Sequence, residues 1–177
     1  MKTLTDQLAD YAAYHRDRRN IVLHLIGIPM IVASIEILLS RPAFSVGGLP
    51  LTPAILISLA VALFYLLLDL RLGLMMALVL AGGAWLGSAV AGLPTATWLG
   101  TGAGLFVVGW IIQLVGHVHE GCKPAFLDDL IGLLIGPLFV LAEIGFLLGM
   151  RRDLESAIEA KAGHKKKGRD RSRPSSL

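Results

Sequence analysis

The side chains best suited to metal chemistry in this 177-residue chain are four histidines and one glutamate, in two groups: His15 and His24, then His117, His119 and Glu120. Neutral imidazole is the commonest protein ligand of transition metals. Histidines with a carboxylate and little cysteine suit Fe, Mn, Zn or Cu. A single cysteine, Cys122, excludes an internal disulfide framework and a multi-cysteine metal site.

Spacing limits which of the first group can meet. His15 and His24 are nine residues apart, which on one continuous helix places them half a turn out of phase. We expect them to converge only if the chain bends around residues 17–20. Asn20 and His24 are four residues apart and share a helix face.

The second group has two alternative arrangements. His117 and His119 are about 200° apart on a helix, whereas His117 and Glu120 are nearly aligned. If the helix continues, His117 and Glu120 share a face. If it ends at Gly116, both histidines can turn inward.

The composition of the chain indicates that membrane-embedded segments position these residues. Hydrophobic residues make up 55% of the chain and charged residues only 16%, with a mean hydropathy of +0.70. Soluble domains carry roughly 25% charged residues. Between Asn20 and Gly116 the charged residues are Glu36, Arg41, Asp69 and Arg71. This distribution predicts a membrane-embedded protein and argues against soluble globular, disordered and nucleic-acid-binding proteins.

Four apolar runs are each close to the ~20 residues that a helix needs to cross a bilayer, at 21–39, 51–68, 72–93 and 98–115. Small residues at 82–84 and 87–89 favour close packing of the third run on a neighbour. A short amphipathic helix over 3–16 is expected to lie on the membrane surface. The predicted fold is an all-α polytopic membrane bundle with four spanning helices.

A fifth apolar run, 130–150, contains Gly136-Pro137, where we expect an interruption or a re-entrant turn. Two regions follow: a membrane-embedded domain at 1–150 and a basic cytoplasmic tail at 151–177, its end disordered. The tail holds nine of the 16 Lys and Arg residues and four of the 13 Asp and Glu residues. A turn at Gly136-Pro137 keeps this positive tail in the cytoplasm.

Arg16, Arg18 and Arg19 flank the first run and predict a cytoplasmic N-terminus. Four crossings then return the chain to the cytoplasmic side at Gly116. His15, His24, His117 and His119 therefore share one membrane face, which favours a metal site there. The predicted location is the bacterial inner membrane, with the site facing the cytoplasm.

Other interpretations stay open at this point. Histidines at a membrane interface also form hydrogen bonds with lipid head groups without binding metal. Glu36 and Glu143, which lie within apolar runs, are further functional candidates because an ionisable group inside a membrane is energetically costly. A small metal or proton transporter, a membrane scaffold with a basic tail, and a zinc-dependent lipid hydrolase are the alternatives. Membrane lipid is an expected partner, nucleic acid is not, and a homo-oligomer is left open.

Two blocks of sequence resemble the Mpo1-like family over roughly residues 8–148. The first is Tyr14-His15-Arg16 followed by Asn20, His24 and Gly27-Ile28-Pro29. The second is Gln113 to His117, then Glu120, Lys123 to Asp129 and Gly136-Pro137.

The resemblance implies an Fe(II)-dependent membrane dioxygenase of fatty-acid α-oxidation. Such an enzyme converts a 2-hydroxy fatty acid and O2 to the acid one carbon shorter. The family's essential histidines map onto His15, His24 and His117, and position adds His119 as a fourth expected ligand. Glu120 and Asp129 are expected to orient ligands or transfer protons. Arg16 and Lys123 are expected to pair with the substrate carboxylate. Asn20 is a further expected substrate-binding residue.

Overall fold

The computed structural model describes residues 2–41, 43–46, 49–121 and 131–162. These residues form seven helices and one antiparallel hairpin, and they confirm the all-α class. The elements are α1 (Leu4–Tyr14), α2 (Arg18–Leu39), β1 (Phe44–Val46), β2 (Leu49–Leu51), α3 (Pro53–Leu68), α4 (Leu70–Ala91), α5 (Thr95–Glu120), α6 (Ile131–Leu147) and α7 (Arg152–Ala162).

Three helices are long and apolar enough to cross a membrane: α2, α4 and α5, with 22, 22 and 26 residues. The second predicted run gives the shorter α3, whose 16 residues extend about 24 Å. That length is less than the ~30 Å of a hydrocarbon core. If the bent pair α6–α7 counts as one broken span, there are four candidate spans. The chain is therefore an integral membrane protein.

Glycines allow α2 and α5 to pack closely. Gly102, Gly109 and Gly116 recur every seven residues on α5, and all three face α2. A Cβ at Gly109 would lie 2.8 Å from Cγ1 of Ile31, and one at Gly116 would collide with Oδ1 of Asn20. The close approach brings the C-terminal turn of α5 against the start of α2.

The small residues of α4 behave partly as expected. A Cβ at Gly87 would lie 2.6 Å from Oγ of Ser40, and one at Gly83 would lie 3.2 Å from Cγ of Glu36. A Cβ at Gly82 would meet no atom within 4 Å. One face of α4 therefore packs tightly on α2, as small-residue faces do in membrane bundles.

The apolar face of α1 packs on protein, where the sequence predicted a membrane surface. Leu8 is completely buried, and it shares a hydrophobic cluster with Phe139 of α6 and with Leu154 and Ile158 of α7. Helix α7 lies within the segment predicted as a polar tail. Its apolar positions 154 and 158 are one turn apart and face α1, and Lys161 pairs with Asp6 at 2.5 Å.

The interruption expected at Gly136-Pro137 does not occur. Pro137 lies inside the continuous helix α6. The carbonyl that loses an amide partner to Pro137 is that of Leu133, four residues earlier. The next carbonyl, of Leu134, accepts a hydrogen bond from the Tyr65 hydroxyl at 2.6 Å, which ties this turn of α6 to α3. A proline is tolerated in a membrane helix when neighbouring helices supply such contacts. The chain turns later, at Gly149 and Arg151, and α7 leaves at 119° to α6.

Two contacts tie the end of α6 and the end of α7 to the rest of the bundle. Arg151 pairs with Asp69 at 3.3 Å, at the one-residue turn between α3 and α4. Arg16 donates to the carbonyl of Ala162. Asp69 also caps α4 by accepting a hydrogen bond from the Leu72 amide at 2.9 Å. The domain boundary at 150 and the cytoplasmic orientation stay predictions, and the expected disorder lies outside the described residues.

Candidate metal centre

Three histidines from three segments meet in the interior. His15 follows α1, His24 lies in the second turn of α2, and His117 lies in the last turn of α5. All three are buried, and one ring nitrogen from each lies within 4.8 Å of the others. The bend that the spacing required is present, because α1 ends at Tyr14 and α2 begins at Arg18.

Backbone carbonyls determine which ring nitrogens carry hydrogen. Nδ1 of His15 lies 2.8 Å from the Tyr11 carbonyl, and Nδ1 of His24 lies 2.9 Å from the Asn20 carbonyl. A carbonyl only accepts, so each Nδ1 donates and each neutral ring keeps a lone pair on Nε2. The two Nε2 atoms are 3.0 Å apart. Two lone pairs at this distance repel unless a cation lies between them.

The third ring also leaves a nitrogen available. Nδ1 of His117 is buried and has no hydrogen-bond partner. Atoms 2.0–2.1 Å from one metal can be at most about 4.2 Å apart. The separation of the His15 and His24 nitrogens satisfies this limit, and the 4.8 Å maximum exceeds it by a fraction of an ångström. The residues present therefore fit a divalent transition metal.

Burial favours metal binding over protonation of the imidazole rings in this cluster. Desolvation lowers the pKa of His15 to about 4, and the nearby His117 ring lowers it further, against the Tyr11 carbonyl that raises it. His15 is therefore neutral near pH 7, with its lone pair free to bind a metal.

An apolar cavity of about 410 Å³ opens from the histidine cluster and extends between α2, α3, α4, α5 and α6. All three clustered histidines line one end of it. Tyr11 lies beside them, its ring stacked on His15 at 4.2 Å between centroids and 7° between planes. The arrangement is a metal-binding cluster at the end of an apolar slot.

Comparisons with known proteins agree with this geometry. The family model described as "2-hydroxy-palmitic acid dioxygenase Mpo1-like" matches residues 1–148. The chain is 33% identical over 158 residues to the 2-hydroxy-palmitic acid dioxygenase MPO1 of Saccharomyces cerevisiae. The aligned region covers 88% of this chain and 87% of the yeast protein. The chain belongs to the Mpo1-like family. No solved structure matches it.

In this Mpo1-like protein, Glu120 holds the segment that carries His15. Its Oε2 accepts hydrogen bonds from the Arg16 amide at 2.9 Å, the Asp17 amide at 2.7 Å and the Asn20 side chain at 3.2 Å. The two amides lie immediately before α2, at the end where the helix dipole favours a negative charge. Because α5 continues to Glu120, this residue and His117 share a face, which was one of the two predicted alternatives. Its geometry is that of a positioning residue.

His119 and Asn20 are placed differently from the expectation. His119 is exposed, and its Nδ1 lies 2.8 Å from the Val115 carbonyl of its own helix. The continuing helix directs it about 200° away from His117, so the structure does not bring it to the cluster. Asn20 is fully buried against Gly116, and it orients His24 and binds Glu120 without lining the cavity.

Of the two predicted carboxylate-binding residues, Arg16 is the one that the structure describes, and it does not line the cavity. Arg16 points towards the end of α7, where it borders a small crevice with Glu143, Glu155 and Glu159. Lys123 and Asp129 lie outside the described residues. The expected roles of these three residues in substrate binding and proton transfer therefore stay predictions.

Sequence reasoning missed two residues that line the cavity beside the histidines. Tyr11 is four residues before His15, a spacing that puts both on one helix face. Gln113 is four residues before His117, 5% exposed, and the donor nitrogen of its amide has no partner. A polar residue one turn from a histidine in an apolar run was the available signal for Gln113.

Proposed function

We propose that this protein is a 2-hydroxy fatty acid dioxygenase that holds Fe(II) with His15, His24 and His117. The supporting observation is three buried imidazoles that converge at one end of an apolar cavity. Family membership supports the reaction class, since the yeast relative is named as a 2-hydroxy-palmitic acid dioxygenase.

The reaction removes the carboxyl carbon. One 2-hydroxy acid and one O2 give the acid one carbon shorter, and the remaining atoms balance as CO2 and water. Bound Fe(II) with three protein ligands supplies open positions and the redox chemistry that O2 requires.

The chain's own residues bind and orient the substrate. Most of the cavity lining is apolar, so an acyl chain enters it and the polar head stays at the histidines. The unpartnered amide of Gln113 donates to the substrate carboxylate or 2-hydroxyl, which removes the cost of its own burial. Tyr11 stays protonated because burial raises the pKa of its phenol, and its ring holds His15 in place.

The depth of the cavity favours long chains. It is lined along α2 from His24 to Glu36, twelve residues apart or about 18 Å. One leaflet of a ~30 Å hydrocarbon core accommodates acyl chains of about 15 Å. The substrate is therefore a fatty acid of membrane-lipid length, which approaches from the bilayer. We place the site at the cytoplasmic face of the inner membrane, because basic residues flank α2 and end the chain.

The test uses the full chain, purified anaerobically in detergent and reconstituted with Fe(II) or Zn(II). Given 2-hydroxypalmitate and O2, the Fe(II) form is expected to consume O2 and release pentadecanoate and CO2 in equal amounts. Palmitate, which lacks the 2-hydroxyl, is the matched control and should not react. Turnover that needs no O2, or that is equal with Zn(II), would contradict the proposal and favour hydrolysis.

A further inference from the structure

Four helices close the end of the cavity that lies away from the histidines, and their last lining residues lie at about the same distance from the histidine cluster. The deepest residue that each contributes is Glu36 on α2, Ser58 and the neighbouring Ile57 on α3, Leu80 on α4 and Phe106 on α5. We call this end the floor. Phe106 is eleven residues from His117, or about 16 Å, which agrees with the depth measured along α2.

The floor carries a buried polar pair in apolar surroundings. Ser58 Oγ donates to Oε1 of Glu36 at 2.7 Å. The other carboxyl oxygen, Oε2, is buried and has no hydrogen-bond partner, and the residue is 4% exposed. Gly83 lets α4 approach the Glu36 side chain, which holds it in position.

An acidic side chain at this depth is costly, and neither the histidine cluster nor the proposed reaction at the head of the substrate uses it. An unsatisfied buried acceptor also loses the free energy of the hydrogen bond it would make with water. A ligand group that donates a hydrogen bond to Oε2 would recover that free energy.

We propose that Glu36 and Ser58 form a second binding site, which accepts a hydroxyl group at the far end of the acyl chain. The inference rests on the proposed function only in taking an acyl chain as the occupant. The preferred ligands are then 2-hydroxy acids that carry an ω-hydroxyl. A hydroxyl suits the site because Oε2 accepts, and no cationic side chain lines the floor in the described residues to bind an ω-carboxylate.

The proposal also specifies chain length. The head is held at the histidines and the floor is about 18 Å away along α2, so only one length of chain brings its terminal hydroxyl to Oε2. Shorter chains leave the hydroxyl in apolar surroundings without a partner, which weakens binding.

The experiment measures binding without turnover. Under anaerobic conditions, 2-hydroxy acids of 12 to 18 carbons displace a fluorescent fatty acid from the full-length protein. Each length is compared with a methyl, a hydroxyl or a carboxyl group at the far end. We expect the hydroxyl form to bind roughly tenfold more tightly than the methyl form at one length, and the carboxyl form to bind more weakly at every length.

Variants then identify the residues responsible. Glu36→Leu is expected to abolish the preference for hydroxyl while binding of methyl-ended chains is kept or improved. Glu36→Gln retains an accepting oxygen and should keep part of the preference. Ser34→Ala is the matched control for Ser58→Ala, because Ser34 is a buried serine that bonds within α2 and does not line the cavity.

An equal hydroxyl preference in the unmodified protein and in Glu36→Leu, or no preference at any length, would overturn the proposal. Turnover is measured separately with Fe(II) and O2. A hydroxyl preference without turnover would contradict the proposed function alone, and turnover without the preference would contradict this inference alone.

Discussion

The two ends of the cavity are built in contrasting ways. At the histidine end, His15 and His24 each donate to a backbone carbonyl, and Glu120 accepts three hydrogen bonds from the segment between them. At the floor, the Glu36 carboxyl accepts one hydrogen bond from Ser58, and its other oxygen is buried without a partner.

The difference corresponds to two tasks. Metal chemistry needs ligand atoms held within a few tenths of an ångström, and only converging hydrogen bonds from several segments provide that. Recognition of a chain end needs depth, an apolar wall and one polar contact.

Removing a ligand should destroy the function of the histidine end. His24→Ala and His117→Ala are each expected to lose stoichiometric metal and to lower turnover by at least about a thousandfold, because two imidazoles hold a metal poorly. His119→Ala is the matched control and should keep both. Metal analysis of anaerobically purified protein checks this, and retained metal and activity in His24→Ala would reject the assignment.

Removing the positioning carboxylate should weaken the site without removing a ligand. Glu120→Ala leaves two backbone amides without an acceptor and is expected to lower metal affinity about 10- to 100-fold. Glu120→Gln keeps one accepting oxygen and should lose less. Metal titration and thermal unfolding of both variants provide the measurement. A Gln variant as impaired as the Ala variant would indicate that Glu120 acts as a ligand or a proton carrier instead.

Separating α2 from α5 should disturb the histidine end through packing alone. Gly116→Ala places a methyl group against Asn20, and we expect a destabilisation of about 1–3 kcal/mol with reduced metal content. Gly104→Ala, on the same helix with no atom within 4 Å of the added Cβ, is the control. Equal unfolding midpoints for the two variants would mean that the helices can separate at little cost.

Replacing the unpartnered amide tests how the substrate head is bound. Gln113→Leu should raise KM roughly tenfold, the cost of about one hydrogen bond to a charged group, and leave metal content unchanged. Arg16→Gln should leave KM close to that of the unmodified protein, because Arg16 bonds to the end of α7. The opposite result in steady-state kinetics would restore Arg16 as the carboxylate partner.

Much of the fold follows from local sequence. Apolar length predicted α2, α4 and α5 within a few residues, because a helix that crosses a bilayer must satisfy its own backbone and expose apolar side chains. The same reasoning was less accurate where contacts between helices decide the outcome. Pro137 lies within a continuous α6 whose neighbouring turn is bonded to Tyr65 of α3, and α7 forms beyond the predicted membrane domain because α1 covers Leu154 and Ile158.

For the candidate site, local sequence was enough to predict the type of ligand and the need for a bend between His15 and His24, since both depend on side-chain chemistry and helix period. The packing of the helices settles that His117 joins them while His119 does not, and that Arg16 faces α7. The structure also revealed Gln113 and the floor at Glu36. These outcomes depend on how α2 and α5 approach through their glycines, a packing of distant segments that no local pattern specifies.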